Sequence, residues 1–189
     1  MKKVLFIATV DSHILNFHVP YLKWFKEEDF KVHVASNGNS AISFVDVKYN
    51  IPFERSPYKI KNFKAYKQLK KIIAENGYKV IHCHTPMGGV LTRLAVRKER
   101  KKGTKVLYTA HGFHFYKGAP LKNWLFYYPI EKWLSKYTDC LITINKEDYR
   151  RANRFKAKSV EFINGVGVDL DRFKPQTPKI KKELRRQYG

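Results

Sequence analysis

Cysteine is scarce. The 189 residues hold two, Cys83 and Cys140, far apart and in no CxxC pair. A disulfide scaffold or a cysteine-rich zinc module is thereby excluded, and a reducing cytosol is the expected compartment. Long apolar runs are missing as well: the run Val4–Val10 stops at Asp11, too short to cross a bilayer and without a small-residue cleavage site. Neither a membrane span nor an export signal is expected. No GxGxxG follows the first strand, and no Walker A sequence, GxSxG elbow or HExxH occurs, which argues against a nicotinamide enzyme or a P-loop ATPase. Acidic residues are few, 16 against 38 Lys and Arg, for a net charge of +22. Such a field predicts attraction to a polyanion. Nucleic acid, an anionic membrane face and phosphorylated substrates would each exploit it, so charge alone leaves the three open.

What is present points to one folded domain. Hydrophobic residues make up 43% and 28 Phe, Tyr and Trp are spread along the chain, enough to bury a core of ordinary size. Short β-branched runs recur at Val4–Val10, Lys31–Ser36, Lys79–His84, Lys105–Ala110, Asp139–Asn145 and Ser159–Asn164, with a weaker one at Ser43–Val47, and helical segments stand between them. Continuous apolar strands imply burial on both faces, and helical crossovers imply parallel pairing. The fold class expected is therefore α/β, a doubly wound parallel sheet with helices on both faces. In the helix after residue 60, Asn62 reads as the N-cap, Phe63, Tyr66, Leu69 and Ile73 as the apolar stripe, and Gly77 as a left-handed C-terminal residue. Gly88 and Gly89 open a further helix with Val90, Leu91 and Leu94 facing inward, and Leu121–Tyr137 is helical and apolar almost all round, with Pro129 as a kink or a restart. Residues 1–173 form the domain. Residues 174–189, proline-bearing and basic, read as a linker or the start of a following domain.

In parallel α/β sheets, ligands bind beyond the carboxyl ends of the strands, where loops and helix N-termini converge. The residues just after each strand are thus the candidates: Asp11, Ser12 and His13; Asn37 and Gly38; His84 and Thr85 with Gly88 and Gly89; His111, Gly112, Phe113 and His114; Asn145 and Lys146; Asn164 and Gly165. Amides, hydroxyls, imidazoles and tight turns suit a polyhydroxylated or phosphorylated ligand. His111 is the leading functional residue, since an imidazole beside a glycine can exchange a proton close to a bound ligand. His114 reads as a loop-capping residue, His82 as a hydrogen-bonded core residue, and His84 at the strand tip as a site candidate. Local metal-ligand spacing is absent, so no metal is expected.

Lysines beside amphipathic aromatics suggest a surface that meets an anionic membrane. Lys64, Lys67 and Lys71 form one stripe, and Trp124 stands with other aromatics between Lys117, Lys122, Lys132 and Lys136. Core packing is the competing reading for about half of those aromatics.

The segments Lys3 through His13, Val80 through Pro86, Tyr108 through Phe115 and Ile163 through Phe173, in this order and spacing, resemble the N-terminal half of glycosyltransferase family 4, retaining enzymes of the GT-B fold, especially those of bacterial capsule, exopolysaccharide and teichuronic acid assembly. The resemblance covers Met1 to about Pro175. It implies an acceptor-binding lobe facing a second, Rossmann-like lobe that binds a nucleotide sugar, the donor substrate, with no other cofactor. His111 would then approach the donor sugar, while Asp11–His13 and Gly88–Gly89 line the acceptor side. Many family members carry a Gly-Gly pair after the first strand, near the donor phosphates; Asp11-Ser12-His13 stands here instead. The resemblance further implies a lipid-linked glycan acceptor, no specific nucleic acid partner, and a cytoplasmic protein held peripherally at the inner face of the plasma membrane. A basic nucleic-acid-binding module, favoured by charge alone, and half of a GT-B sugar-nucleotide epimerase are the alternatives.

Overall fold

Val4, Phe6 and Ala8 pack to one side of strand β1 (Lys2–Val10) and Leu5 and Ile7 to the other, and all five are fully buried. A strand apolar on both faces needs helices on both. The computed structural model, which describes residues 1–167, 170 and 173–188, provides them. On the first side, Ile14 of α1 (Asp11–Phe17) and Leu22 of α2 (Val19–Glu27) close over Phe6, Val32 and Val34. On the second, α3 (Lys61–Asn76) contributes Ala65, Leu69 and Ile73, and α4 (Pro86–Ala95) contributes Met87, Leu91 and Ala95.

The remaining strands are β2 (Phe30–Asn37), β3 (Val47–Asn50), β4 (Val80–His84), β5 (Lys105–Ala110), β6 (Cys140–Thr143) and β7 (Ser159–Phe162). They form one parallel sheet in the order β3-β2-β1-β4-β5-β6-β7. The chain winds outward from β1 through β2 to β3, then returns to place β4 on the other side of β1. That reversal opens a crevice at the carboxyl ends of β1 and β4.

Several local expectations need correction. The third strand is Val47–Asn50, not Ser43–Val47: Phe44 has a positive φ of 64°, and the Asp46 carboxylate accepts from the Val32 amide and from Lys26, ending the loop where pairing begins. Asn62 does not cap α3; it is buried, accepts from the Glu54 amide and donates to the Ser56 carbonyl, stapling the preceding loop. Phe63 is exposed, and the buried stripe runs Asn62, Ala65, Leu69, Ile73. Gly77 adopts the expected left-handed conformation. The basic run after α4 is a separate short helix, α5 (Arg97–Lys101). Helix α6 (Leu121–Leu134) passes through Pro129 and tightens into a single 3₁₀ turn at Ser135–Tyr137. Helix α7 (Lys146–Ala152) follows β6, and the tail carries α8 (Pro178–Tyr188), none of whose residues is buried. The closing motif of the sequence includes residues 168, 169, 171 and 172, which lie outside the described residues. Among the described residues no helix is long and apolar enough to cross a membrane.

Candidate functional site

A cleft of about 1060 Å³ lies over the strand ends. Its floor is made by Thr9, Ser12, His13 and Thr85, one wall by Gly112, Phe113 and His114, and another by the α6 residues Lys122, Phe126 and Ile130; Arg55 and Tyr58 close the rim. Polar groups converge on the floor while the α6 wall is largely apolar, the composition of a pocket that fixes one polar end of a ligand and shelters a greasy one.

Imidazoles gather at and beneath the floor. His13 Nε2 lies 3.3 Å from His111 Nε2, and the two rings meet edge to face with centroids 4.6 Å apart. Beneath them, His18 stacks on His84 at 3.7 Å. His18 reaches this place because α1 stops at Phe17: Pro20 has no amide to continue the ladder, and His18, at φ −120°, turns inward between the two helices. His84 is the last residue of β4, and it shares a face with His82, whose Nε2 pairs with the Thr109 hydroxyl at 2.8 Å. His82 is thus the hydrogen-bonded core histidine expected. Its neighbours are not satisfied: His18 is 3% and His84 0% exposed, and none of their ring nitrogens has a partner among the described residues. An unsatisfied buried group of this kind costs about 1–3 kcal/mol.

Burial keeps these rings neutral. It pushes His13 down to about 4, helped by the neighbouring His111, and His18 to about 2, helped by His82, His13 and His111. His82 falls to about 3 for the same reason, His84 lies well below the ordinary value, and His111 is lowered by burial alone. At neutral pH each ring therefore offers a lone pair and one N–H.

The other candidates separate into groups. Ser12, His13, Gly112 and Phe113 line the cleft with His111 beside them. Asp11 does not: it is buried, accepts from Ser36 Oγ at 2.6 Å and the Ser40 amide at 2.9 Å, and pairs with Lys48 Nζ at 2.9 Å. It ties the end of β1 to the loop after β2. His84 lies under the floor rather than on it. Gly88 and Gly89 lie behind the wall, for a Cβ on Gly89 would sit 2.5 Å from the Tyr108 ring and one on Gly88 2.8 Å from Thr85 Oγ1. They allow α4 to approach the sheet. Asn145 caps α7, accepting from the Asp148 amide at 2.8 Å; Lys146 is exposed, and neither it nor Asn164 or Gly165 borders the cleft.

Trp124 is not on the outer surface. It is half-buried against Phe115 and Tyr128 with the Arg151 guanidinium over its ring, and the exposed face of α6 is instead Leu121, Leu125, Phe126, Ile130 and Trp133. Lys64, Lys67 and Lys71 are exposed, with Lys67 over the Phe63 ring and Lys71 paired to Glu75.

Sequence reasoning missed the roles of His18, Asp148 and Arg93, and the backbone strain at the candidate Thr85. His18 gave no signal beyond its proximity to Pro20. Thr85 holds a φ of 62°, unusual for a β-branched residue, and is pinned at the floor by the Thr9 amide and hydroxyl. Asp148, buried, accepts from the Phe113 amide and from Asn145 Nδ2, fixing the His111–Phe113 loop. Arg93, fully buried, makes a bidentate pair with Glu131 at 2.8 and 3.1 Å, donates to the Gly89 carbonyl, and lies over the Tyr108 ring. A charged residue among apolar ones on a helix does not announce a partner 38 residues away.

Comparison with known proteins follows the same lines. A family model described as glycosyl transferase 4-like matches residues 3–145. The protein named "Putative glycosyltransferase EpsD" of Bacillus subtilis (strain 168) is 56% identical over 190 residues, covering 100% of this chain and 50% of that protein. A UDP-Gal:alpha-D-GlcNAc-diphosphoundecaprenol alpha-1,3-galactosyltransferase of Escherichia coli is 30% identical over 122 residues, 64% of this chain and 31% of that protein. The chain thus spans half the length of the first relative and less of the second. Among solved structures, a UDP-GlcNAc 2-epimerase from Neisseria meningitidis bound to UDP-GlcNAc superposes with a TM-score of 0.66 at 12% identity, covering 98% of this chain and 54% of that one. MurG of Acinetobacter baumannii gives 0.56 at 14% identity, over 94% and 50%. At such identities the likeness is one of fold.

Proposed function

Because the chain belongs to the glycosyl transferase 4-like family, we propose that it is the acceptor-binding lobe of a retaining glycosyltransferase, one that moves a sugar from a nucleotide-sugar donor held chiefly by a second lobe onto a lipid-linked glycan. The observation that carries this reading is the cleft itself: a polar floor of Ser12, His13 and Thr85 beside an apolar α6 wall of Phe126 and Ile130. An acceptor with a sugar at one end and a lipid at the other divides its surface in the same way. Lys122 and Arg55, at the cleft, suit the phosphates between the two ends.

In this reading His111 faces the donor sugar. A neutral imidazole on a tight turn donates a hydrogen bond to a sugar oxygen without the repulsion an ammonium would bring to an oxocarbenium-like centre. His13 and the Asp148-anchored loop hold that ring in place. The exposed apolar side chains of α6 and the surrounding lysines keep the cleft mouth at the bilayer surface, where the acceptor resides; a cytoplasmic, peripheral location and a role in cell-surface polysaccharide synthesis follow from the same proposal.

The test is binding and transfer measured separately. A polyprenyl-diphosphate sugar in detergent micelles is expected to bind the chain, and Phe126→Asp to weaken binding about 10-fold or more while circular dichroism is unchanged. Carried in the two-lobed enzyme, His111→Ala is expected to lower kcat about 100-fold with acceptor KM little changed. Equal acceptor binding by wild type and Phe126→Asp would overturn the placement of the acceptor.

A further inference from the structure

Four imidazoles meet under the cleft, drawn from four separate places: His13 in α1, His18 at the α1–α2 break, His84 at the end of β4 and His111 after β5. One nitrogen from each lies within 4.8 Å of the others. We propose that these residues bind one zinc ion, as a resident, four-imidazole site on the floor of the cleft. The inference shares His13 and His111 with the transferase reading but does not rest on it, and it is tested by metal uptake alone.

Three observations support it. The first is spacing. Zinc bound by imidazole at about 2.0–2.1 Å in a tetrahedron separates neighbouring nitrogens by about 3.4 Å and ring centroids by about 5 Å. His13 and His111 already present nitrogens 3.3 Å apart. Centroid separations are 5.2 Å for His13–His18, 5.7 Å for His13–His84, 4.6 Å for His13–His111, 6.0 Å for His18–His111 and 5.7 Å for His84–His111. The stacked pair His18–His84, at 3.7 Å, must open by ring rotation to ligate.

The second observation is need. His18 and His84 are almost wholly buried, yet neither ring nitrogen of either finds a hydrogen-bond partner among the described residues. A core that leaves two neighbouring imidazoles unpaired, face to face, is short of a ligand. The third is ligand chemistry. The group contains neither carboxylate nor thiolate; Cys83 packs in the core on the other side of the sheet. All-imidazole sites select zinc, cobalt, nickel or copper over magnesium or calcium, and zinc alone of these combines tetrahedral preference with redox silence. His82 stays out of the set because its Nε2 is committed to Thr109.

Two features set the strength and consequence of such a site. His18 and His84 lack the carboxylate or carbonyl that usually orients a zinc-bound imidazole, an omission that costs about 10- to 100-fold in affinity, so a chelator is expected to strip the ion readily. All four ligands are neutral, so the ion keeps its double positive charge.

The experiment uses the chelator-stripped protein titrated with zinc chloride, and with cobalt chloride as a spectroscopic stand-in. One equivalent is expected to bind, to raise the Tm, and in the cobalt form to give the intense visible bands of four-coordinate geometry; magnesium and calcium are expected to do nothing. His13→Ala, at the half-buried floor, and His18→Phe, which keeps a buried ring, are each expected to lose at least about 10-fold in zinc affinity, while His114→Gln binds zinc as wild type. Should His18→Phe fail to fold, the His13→Ala result and the cobalt spectrum decide. Failure to take up zinc, weak six-coordinate cobalt bands, or uptake unchanged by His13→Ala would each overturn the proposal.

Discussion

At the scale of single residues, carboxylates here serve as ties between segments. Asp11 joins β1 to the β2–β3 loop, Asp148 holds the His111–Phe113 loop, and Asp139 gathers Arg100, the Val106 amide and Lys158 around one group. With so few acids among so many bases, each buried carboxylate finds a cation or an amide. Burial works to raise the Asp139 pKa, but the Arg100, Val106 and Lys158 contacts outweigh it and hold the carboxyl at about 2. The stability this contributes is present in full above the unfolded value of 3.8 and is lost as pH falls through about 2. Urea midpoints measured from pH 7 to pH 2 are expected to fall for the wild type between pH 4 and pH 2; Asp139→Asn is expected to be less stable at pH 7 and to show a shallower acid limb. Identical acid limbs would remove Asp139 from this role. None of these partnerships was legible beforehand. Asp11 reads from the sequence as a ligand-facing carboxylate because it follows a strand, and only its contacts with Ser36, Ser40 and Lys48 reveal an inward, structural role.

Helix α4 shows how elements are positioned. Gly89 lets it approach Tyr108 and Gly88 lets it approach Thr85 and the Ala8 backbone, and Arg93 then reaches Glu131 on α6 from a fully buried position. The pair sets where α6 lies, and with it the Phe126–Ile130 wall. Deleting one partner strands the other charge: Glu131→Ala is expected to cost about 3–5 kcal/mol in chemical denaturation. The double variant Arg93→Met, Glu131→Leu, which replaces the pair by apolar side chains of similar size, is expected to recover most of that loss. Equal destabilisation of single and double variants would mean that the site needs the charges themselves. The α6 pattern misleads by sequence alone, being apolar on nearly every side, so that periodicity cannot tell the half-buried Trp124 from the exposed Phe126; the neighbouring Phe115, Tyr128 and Arg151 make that choice.

For the whole molecule, the net charge of +22 and the exposed apolar face of α6 are the two features on which the proposed attachment to a bilayer rests. Basic groups near an anionic bilayer contribute about 1 kcal/mol each and are screened by salt. Cosedimentation with anionic vesicles is therefore expected to fall steeply as salt rises, and Leu125→Asp with Trp133→Asp to reduce the fraction that resists salt. Equal binding to neutral and anionic vesicles would count against the electrostatic part. The alternation of buried strands and helical crossovers is local information, carried by residues adjacent in the chain, and it was enough to determine a parallel α/β sheet, six of the strands to within a few residues, and the strand-end segments from which the cleft is built. Which side chains in those segments face the cleft was beyond it. His13, His18, His84 and His111 come from four distant stretches, and their convergence depends on β1, β4 and β5 lying side by side and on a helix breaking before Pro20. Spacing along the chain speaks only to local metal motifs and says nothing of a non-local one, because contact between remote residues is decided by strand order and packing, which exist only once the chain has folded.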